Sequence, residues 1–402
     1  MQTSLRRLCC PAFIFVSLTV LWLRTGSQPR LREAAGFQLS SQSCSACHQA
    51  IFDGFVRTAH FQTSSHADER SVKGSFADGR NTLRTRSEVA YFKMERRGDG
   101  FYQTGYETVG GTSRTRTERL DLVIGSGRKG QSFLYWRDGL LYQLPVSWLV
   151  EPAAWMNSPG YEDGKINFDR LIPPRCLECH SSSFKLERTA TGVRYAGDYE
   201  VGISCGACHG DGSRHAGHHA ANPGEKVSRF VLNPARFERE RKMDGCALCH
   251  SGPIEAKRPP FSYRPGEKLD DYFHPAAPQT RLAADVHGNQ VALLRLSKCF
   301  RSSTEMSCST CHNAHRAERD LTQMAGKCLV CHQTGQCKLS AKLDPARLLG
   351  DCIECHMPNQ PSQLIRIDTP AGNFSPAYRQ HTIGIYRQIA ERLLGSEGRK
   401  KN

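Results

Sequence analysis

The sequence predicts an α+β chain, mainly helix and loop, with one small antiparallel β insertion, and three observations predict it. The first is a pentapeptide, Cys-x-x-Cys-His, that occurs seven times: Cys44/Cys47/His48, Cys176/Cys179/His180, Cys205/Cys208/His209, Cys246/Cys249/His250, Cys308/Cys311/His312, Cys328/Cys331/His332 and Cys352/Cys355/His356. This is the attachment signature of c-type haem: the two thiols add across the porphyrin vinyl groups as thioethers, and the adjacent His supplies the proximal iron ligand. The same cysteine pairs also read as zinc sites, but zinc ribbons do not require the His that completes every pair here. The second observation is composition. Of 402 residues, 39% are hydrophobic and 8% aromatic, which is little for that length. Seven large apolar cofactors would replace much of a side-chain core, so little regular secondary structure is needed and long loops become acceptable. The third is a long motif-free stretch after His48, rich in β-branched and aromatic residues and punctuated by glycine.

Length allows two or three ordinary domains, and the elements follow in chain order. Residues 1–27 read as a signal peptide or N-terminal anchor: Arg6 and Arg7 precede an apolar run from Leu8 to Leu23, followed by Arg24. The run is short for a spanning helix and long for a signal core, and Thr25-Gly26-Ser27 is a poor cleavage site. The arginine pair suggests twin-arginine export, whereas haem attachment outside the cytoplasmic membrane argues for export of an unfolded chain. Residues 28–66 form the first haem-binding segment, with Ile51, Phe52, Phe55 and Val56 marking a helix over 48–61.

Residues 67–165 form the haem-free β-rich insertion. Val89–Met94 and Gly100–Thr104 flank a polar turn and read as a hairpin. Leu120–Ile124 and Ser132–Trp136 flank a Gly-rich turn, and Arg137-Asp138-Gly139 is a further turn before Leu140–Leu144. The module carries no catalytic signature and reads as a cover for the haem array. Residues 166–402 form a hexahaem domain packing with the first haem. Helices are expected over 286–299 and 382–394, and a Pro-rich wrapping loop over 252–288.

The formal charge of +15 invites a nucleic-acid reading, which is rejected. Seven haems bring about fourteen propionate charges, partly offset at the ferric irons, so Arg and Lys read as propionate partners and solvated surface. No nucleic-acid motif accompanies them. Fourteen of the 18 cysteines belong to the motifs. Cys9 and Cys10 lie at the apolar N-terminal run, and Cys299 and Cys337 read equally as a disulfide or as two free thiols. Apo-protein is expected to be largely unfolded.

A second His in the sixth iron position gives a low-potential electron-transfer haem, whereas an empty position binds substrate. Nine of the 16 histidines lie outside the motifs: His60, His66, His215, His218, His219, His274, His287, His315 and His381. His315 follows His312 by three residues, so on a helix both face one side and His315 has to serve a neighbouring haem. The same holds for His215 after His209. These two, with His60 and His381, are the leading distal ligands. Of the adjacent His218 and His219 one is expected to coordinate, His274 and His287 are further candidates, and His66 reads as a solvent- or substrate-facing group. Met156, Met243, Met306 and Met324 read as axial ligands or as gap-fillers.

Several motif contexts resemble the multihaem cytochrome c superfamily. Ser43-Cys-Ser-Ala-Cys-His48 with Thr58-Ala-His60 looks like the first haem unit of the tetrahaem cytochromes that serve hydroxylamine oxidoreductase. Cys205–His215, with its CHGDGSRH run, is similar to an element of the wider superfamily, as are Met306–His315 and Cys352–Pro358. Leu134–Pro145 resembles a spacer of periplasmic multihaem cytochromes. The likeness spans about residues 40–385. It implies stacked haems through which electrons hop, and it brings in nitrite reductases and hydroxylamine oxidoreductases. The chain departs from those enzymes: no motif ends in Lys, the motif count falls one short of eight, and no crosslinking Tyr is assignable. The expectation is therefore an exported electron carrier with seven covalent haem c groups, mostly bis-His and packed against each other. It would sit in the bacterial periplasm or on the outer face of the cytoplasmic membrane. Its partners would be redox proteins, either other cytochromes or a quinol-oxidising membrane complex. The alternative is an oxidoreductase for nitrogen or sulfur oxyanions or hydroxylamine, with one open haem.

Overall fold

The structure is a computed structural model and describes residues 40–189, 192–275, 289–363 and 365–398, all within one compact unit, Gln38–Asn402. The expected export segment with Cys9 and Cys10, and His287, lie outside the described residues. Among the described residues no helix is long and apolar enough to cross a membrane.

The insertion is built from two antiparallel sheets. Strands Thr82–Arg84, Ala90–Arg97, Gly100–Val109 and Thr112–Arg119 pair in sequence order. Two-residue turns join the longer three. Gly98, Gly110 and Gly111 adopt φ of 59°, 56° and 79°, the left-handed conformations that tight hairpin turns demand. The second sheet runs Ser64–His66, Leu122–Ile124, Gly130–Arg137, Leu140–Gln143, Arg170–Leu171, and Val146–Leu149 with Ala154–Asn157 extend it from Gly130–Arg137. Alternating residues of both sheets close a core on Phe92, Met94, Phe101, Val123, Phe133, Tyr135, Trp148, Trp155 and Phe168. Strand Thr112–Arg119 is almost wholly exposed and carries Arg114, Arg116 and Arg119, charges of the kind that protect a sheet edge from further pairing.

The expectation of a mainly α chain is corrected. Helix accounts for 29% of the residues and strand for 27%, in five antiparallel sheets, so the fold is an even α+β mixture. Much of the excess strand lies after the second motif. Ser181–Thr189 leaves the helix of His180 directly and pairs with Gly192–Val201. Phe184 and Leu186 alternate with Lys185 and Glu187, while Val193, Tyr195, Tyr199 and Val201 line up at even spacing on the partner. This period of two is a strand signal. Phe184 and Tyr195 are buried against Leu122, Leu134, Leu141 and Leu177. After the last motif, Asn359–Pro361 pairs with Ala377–Arg379, and Ile367–Thr369 with Gly372–Phe374.

Several helices also differ from expectation. The first runs over Ser41–Phe55, so it contains its motif, and it breaks at His48 (φ −117°, ψ 38°). His60 lies beyond its end. The expected helix over 286–299 is two short pieces, Gln290–Arg295 and Lys298–Ser302. The last helix begins at Arg387 rather than 382. Residues 252–275 are largely irregular, as expected of a wrapping loop, with one short turn at Leu269–Asp271.

The insertion is stitched to the C-terminal hairpin through a buried carboxylate. Asp163 accepts from the Arg86 backbone N–H at 2.7 Å, from Arg86 Nε at 3.2 Å and from Asn157 Nδ2 at 2.7 Å. Asn157 Nδ2 also donates to the Asp368 carbonyl at 2.7 Å, and Arg86 pairs with the Asp368 carboxylate.

Candidate haem centres

All seven pentapeptides fall on helical turns. They occupy Ser41–Phe55, Pro174–His180, Gly206–His209 with Cys205 in helical conformation before it, Arg239–His250, Cys308–Cys311, the tighter turn Cys328–Val330, and Pro345–His356. The reason is geometric: on a helix residues i and i+3 share a face, so both thiols of a motif point to one side. Local capping fixes several of these turns. Asp344 accepts from the Ala346 and Arg347 N–H groups, Ser307 and Thr310 form a reciprocal cap, and Pro174 opens its helix.

The protein does not enclose every motif cysteine. Cys47 and Cys331, read from sequence as haem-binding with the rest, are exposed, unlike the half-buried Cys44, Cys176, Cys179, Cys246 and Cys249. Cys47 stands one residue before the break of the first helix at His48. Cys331 lies just outside its turn rather than within it, as the closing residue after Cys328–Val330, with φ −118° and ψ −22°. Cys208 and Cys328 are exposed as well. A thiol that adds to a porphyrin vinyl group has to be reachable, so a protein wall around it is not required.

The spare histidines then meet the motif histidines in pairs. His48 faces His215 with ring centroids 6.3 Å apart. His60 faces His250 at 6.2 Å, His209 faces His315 at 5.9 Å, and His312 faces His381 at 6.3 Å. Two imidazoles on one metal ion, each with a nitrogen–metal bond of about 2.0 Å, place their ring centroids roughly 6 Å apart. Each pair joins one motif His to one non-motif His from a different part of the chain. The ring planes are near parallel in three pairs, at 15°, 20° and 31°, and close to perpendicular, 77°, for His60 and His250.

The second ring nitrogen is committed in several of these residues. His209 Nδ1 lies 2.8 Å from the Leu232 carbonyl, His215 Nδ1 2.8 Å from that of Arg229, His356 Nδ1 2.7 Å from that of Gly384, and His381 Nδ1 3.1 Å from that of Arg379. A carbonyl only accepts, so Nδ1 carries the proton and Nε2 presents its lone pair, as a metal-bound imidazole requires. His180 Nδ1 lies 2.8 Å from Thr63 Oγ1. Burial pushes His60 down to about 4, with the charges of His250 and Arg128 in the same sense, and burial likewise pushes His381 down to about 4. His250 and His315 are lowered, again first by burial.

The other candidates are placed differently. His218 Nε2 is taken by Glu225 at 2.7 Å, while the adjacent His219 Nε2 is buried without a hydrogen-bond partner. His66 is exposed beside the Tyr199 ring, and His274 is exposed. Met243 is fully buried with its sulfur 3.7 Å from Cys308, and Met156 and Met306 pack in hydrophobic clusters, so these three fill gaps. Cys299 and Cys337 stand as separate free thiols, not as a disulfide. His312 and His315 do not share a helix: it ends at Cys311, and His312 is extended.

Motifs distant in sequence come near one another at their cysteines. The Cys44 and Cys205 thiols influence each other, as do Cys179 and Cys249, and Cys246 and Cys308. Cys179 also packs on the Leu248 carbonyl at 4.0 Å, and Cys249 on that of Glu178 at 3.9 Å. Cys328 lies within electrostatic reach of Cys311, and Cys352 of Cys328. Among the described residues no three His, Cys, Asp or Glu side chains converge into a metal cage of the kind the zinc reading needs.

Comparison with known proteins finds cytochromes by family and by fold. Residues 158–210, which include the second and third motifs, match the family of cytochrome c554 and c-prime. No curated protein sequence matches the chain. Among solved structures, the outer cell wall cytochrome OcwA is similar with a TM-score of 0.51 and 14% identity, over 89% of this chain and 82% of that one. An undecahaem cytochrome from the S-layer of Carboxydothermus ferrireducens aligns with a TM-score of 0.38 and 14% identity, over 88% of this chain and 59% of that one. With Cys-x-x-Cys-His turns, four of which bring their histidine to a second histidine at metal-bridging separation, the chain has the fold of a multihaem c-type cytochrome, whose cofactor is covalent haem c.

Proposed function

We propose that the chain is an exported electron carrier that binds seven haem c groups and passes electrons between other redox proteins. The observation that carries this reading is the set of four His–His pairs at 5.9–6.3 Å. His215, His60, His315 and His381 are the distal ligands opposite His48, His250, His209 and His312. When bound, the cofactor supplies a one-electron couple, and a histidine on each face of it leaves no site for substrate.

Adjacency of the motifs supports a continuous path. Each of His215 and His315 follows a motif His closely in sequence, so a single short segment serves two neighbouring cofactors. Motif one thereby adjoins motif three, and motif three adjoins motif five. Packing contacts add motif two to four and motif four to five, and motifs five, six and seven lie within electrostatic reach of one another. An exported location rests on the N-terminal apolar run and on haem c attachment outside the cytoplasmic membrane. The donor and acceptor are other cytochromes or a quinol-oxidising membrane complex.

Electron paramagnetic resonance of the oxidised holoprotein tests the reading. Low-spin ferric signals from at least four haems are expected. One of them should be unusually anisotropic, because the near-perpendicular rings of His60 and His250 leave two iron π orbitals close in energy. Pyridine haemochrome should give seven haems per chain, the exposed Cys47 and Cys331 carrying thioethers like the other motif thiols. A spectrum dominated by high-spin iron, or a count well below seven, overturns it.

One observation favours the oxidoreductase reading: among the described residues no histidine ring stacks against His332 or His356. An open haem at motif six or seven would show as a high-spin component that shifts on adding nitrite or hydroxylamine.

A further inference from the structure

The loop joining strands Leu122–Ile124 and Gly130–Arg137 carries Arg128, which reaches out of the insertion to the segment before His60. The loop turns sharply: Gly125 has φ of 105°, and a Cβ there would meet the Gly130 carbonyl at 2.6 Å. Arg128 Nε is buried and has no hydrogen-bond partner, and Nη2 reaches only the Arg57 carbonyl at 3.5 Å. Among the described residues no carboxylate pairs with this guanidinium. The charge acting on it is instead that of Arg319, which follows His315 in sequence. The charge of Arg128 also falls on His60.

A half-buried guanidinium facing a second cation is costly unless an anion lies between them. The planar fork of Arg fits a carboxylate with two parallel hydrogen bonds. Haem carries two carboxylates at one edge, and Arg128 reaches the Arg57 carbonyl, three residues before His60, the ligand proposed opposite His250.

We propose that Arg128 forms an oxyanion clamp whose occupant is a propionate of the haem held by Cys246, Cys249 and His250. This rests on the ligand assignment above. The insertion is then more than a cover, because it supplies a charge that positions this one cofactor and tunes its potential. A clamped propionate is electrically neutralised. Released, its negative charge favours ferric iron and lowers the potential.

The test is a redox titration of the holoprotein followed through the anisotropic low-spin signal. In Arg128→Gln the midpoint of that signal should move downward and become pH-dependent, as the freed propionate titrates. Arg128→Lys should restore most of the shift, and the other signals should not move. An unchanged midpoint in Arg128→Gln overturns the proposal. So does a wild-type midpoint that shifts saturably with added inorganic phosphate and loses this response in Arg128→Gln, since the clamp would then hold a free oxyanion. His60→Ala separates the two readings: it abolishes the anisotropic signal if His60 is a ligand, whatever Arg128 does.

Discussion

A histidine that binds iron has to present one nitrogen while the other is held in place, and in this chain the backbone does the holding. Arg229 and Arg379 offer carbonyls to His215 and His381, neither of which belongs to a haem motif. Replacing His381 with Ala should turn one low-spin haem into a high-spin one that binds cyanide or carbon monoxide, read by optical and paramagnetic resonance spectra, with the other signals unchanged. The sequence singled out His60, His215, His315 and His381, and each of them lies against a motif His. Their partners were not legible in the sequence, because each faces a motif His brought in from elsewhere by tertiary packing. Nor was the exposure of Cys47 and Cys331, since a motif names its thiols but not the packing around them. His315 does not share a helix with His312, contrary to expectation. It nevertheless lies against His209, on a segment packed so closely that a Cβ on Gly54 would come within 2.7 Å of its carbonyl.

At the scale of elements, the hairpin after His180 is held by one buried hydroxyl. Ser64 Oγ contacts the His180 carbonyl, lies 3.1 Å from Ser181 Oγ and accepts from the Gly202 N–H at 2.9 Å. Gly202 has φ of 69°, and a Cβ there would lie 2.1 Å from the Phe61 carbonyl. Gly202→Ala should therefore cost about 2–4 kcal/mol, from left-handed strain plus overpacking, measurable by denaturant unfolding of the holoprotein. Asp163→Ala would leave the Arg86 backbone N–H without its acceptor and take one acceptor each from the Arg86 and Asn157 side chains. It should cost about 3 kcal/mol and loosen the C-terminal hairpin first, seen as faster amide exchange around Asp368. The insertion's hairpins were legible because apolar alternation and Gly turns coincide there. Strand Thr112–Arg119 was not, since an exposed edge strand has no apolar face to alternate. The Ser181–Val201 hairpin did carry a period of two, obscured by its position directly after a haem motif, where helix and loop were expected.

For the whole molecule, the four histidine pairs mean that no stretch between them is independent. His48 is tied to His215, His209 to His315, and His312 to His381, so successive ties overlap along the chain. In the proposed holoprotein each iron acts as a reversible cross-link closing a loop of many tens of residues. By the loop-closure argument such a link contributes roughly 4 kcal/mol through the unfolded state. An exogenous ligand that displaces a distal His would open one of these links without breaking a covalent bond. Imidazole at high concentration should accordingly lower the unfolding midpoint of the holoprotein stepwise, and His215→Ala should remove one step. Synthesis is constrained in the same way. In the proposed holoprotein the first cofactor would be attached near the N-terminus while its second ligand, His215, emerges only with the third motif, so the segment made first would wait for the middle of the chain to complete its site.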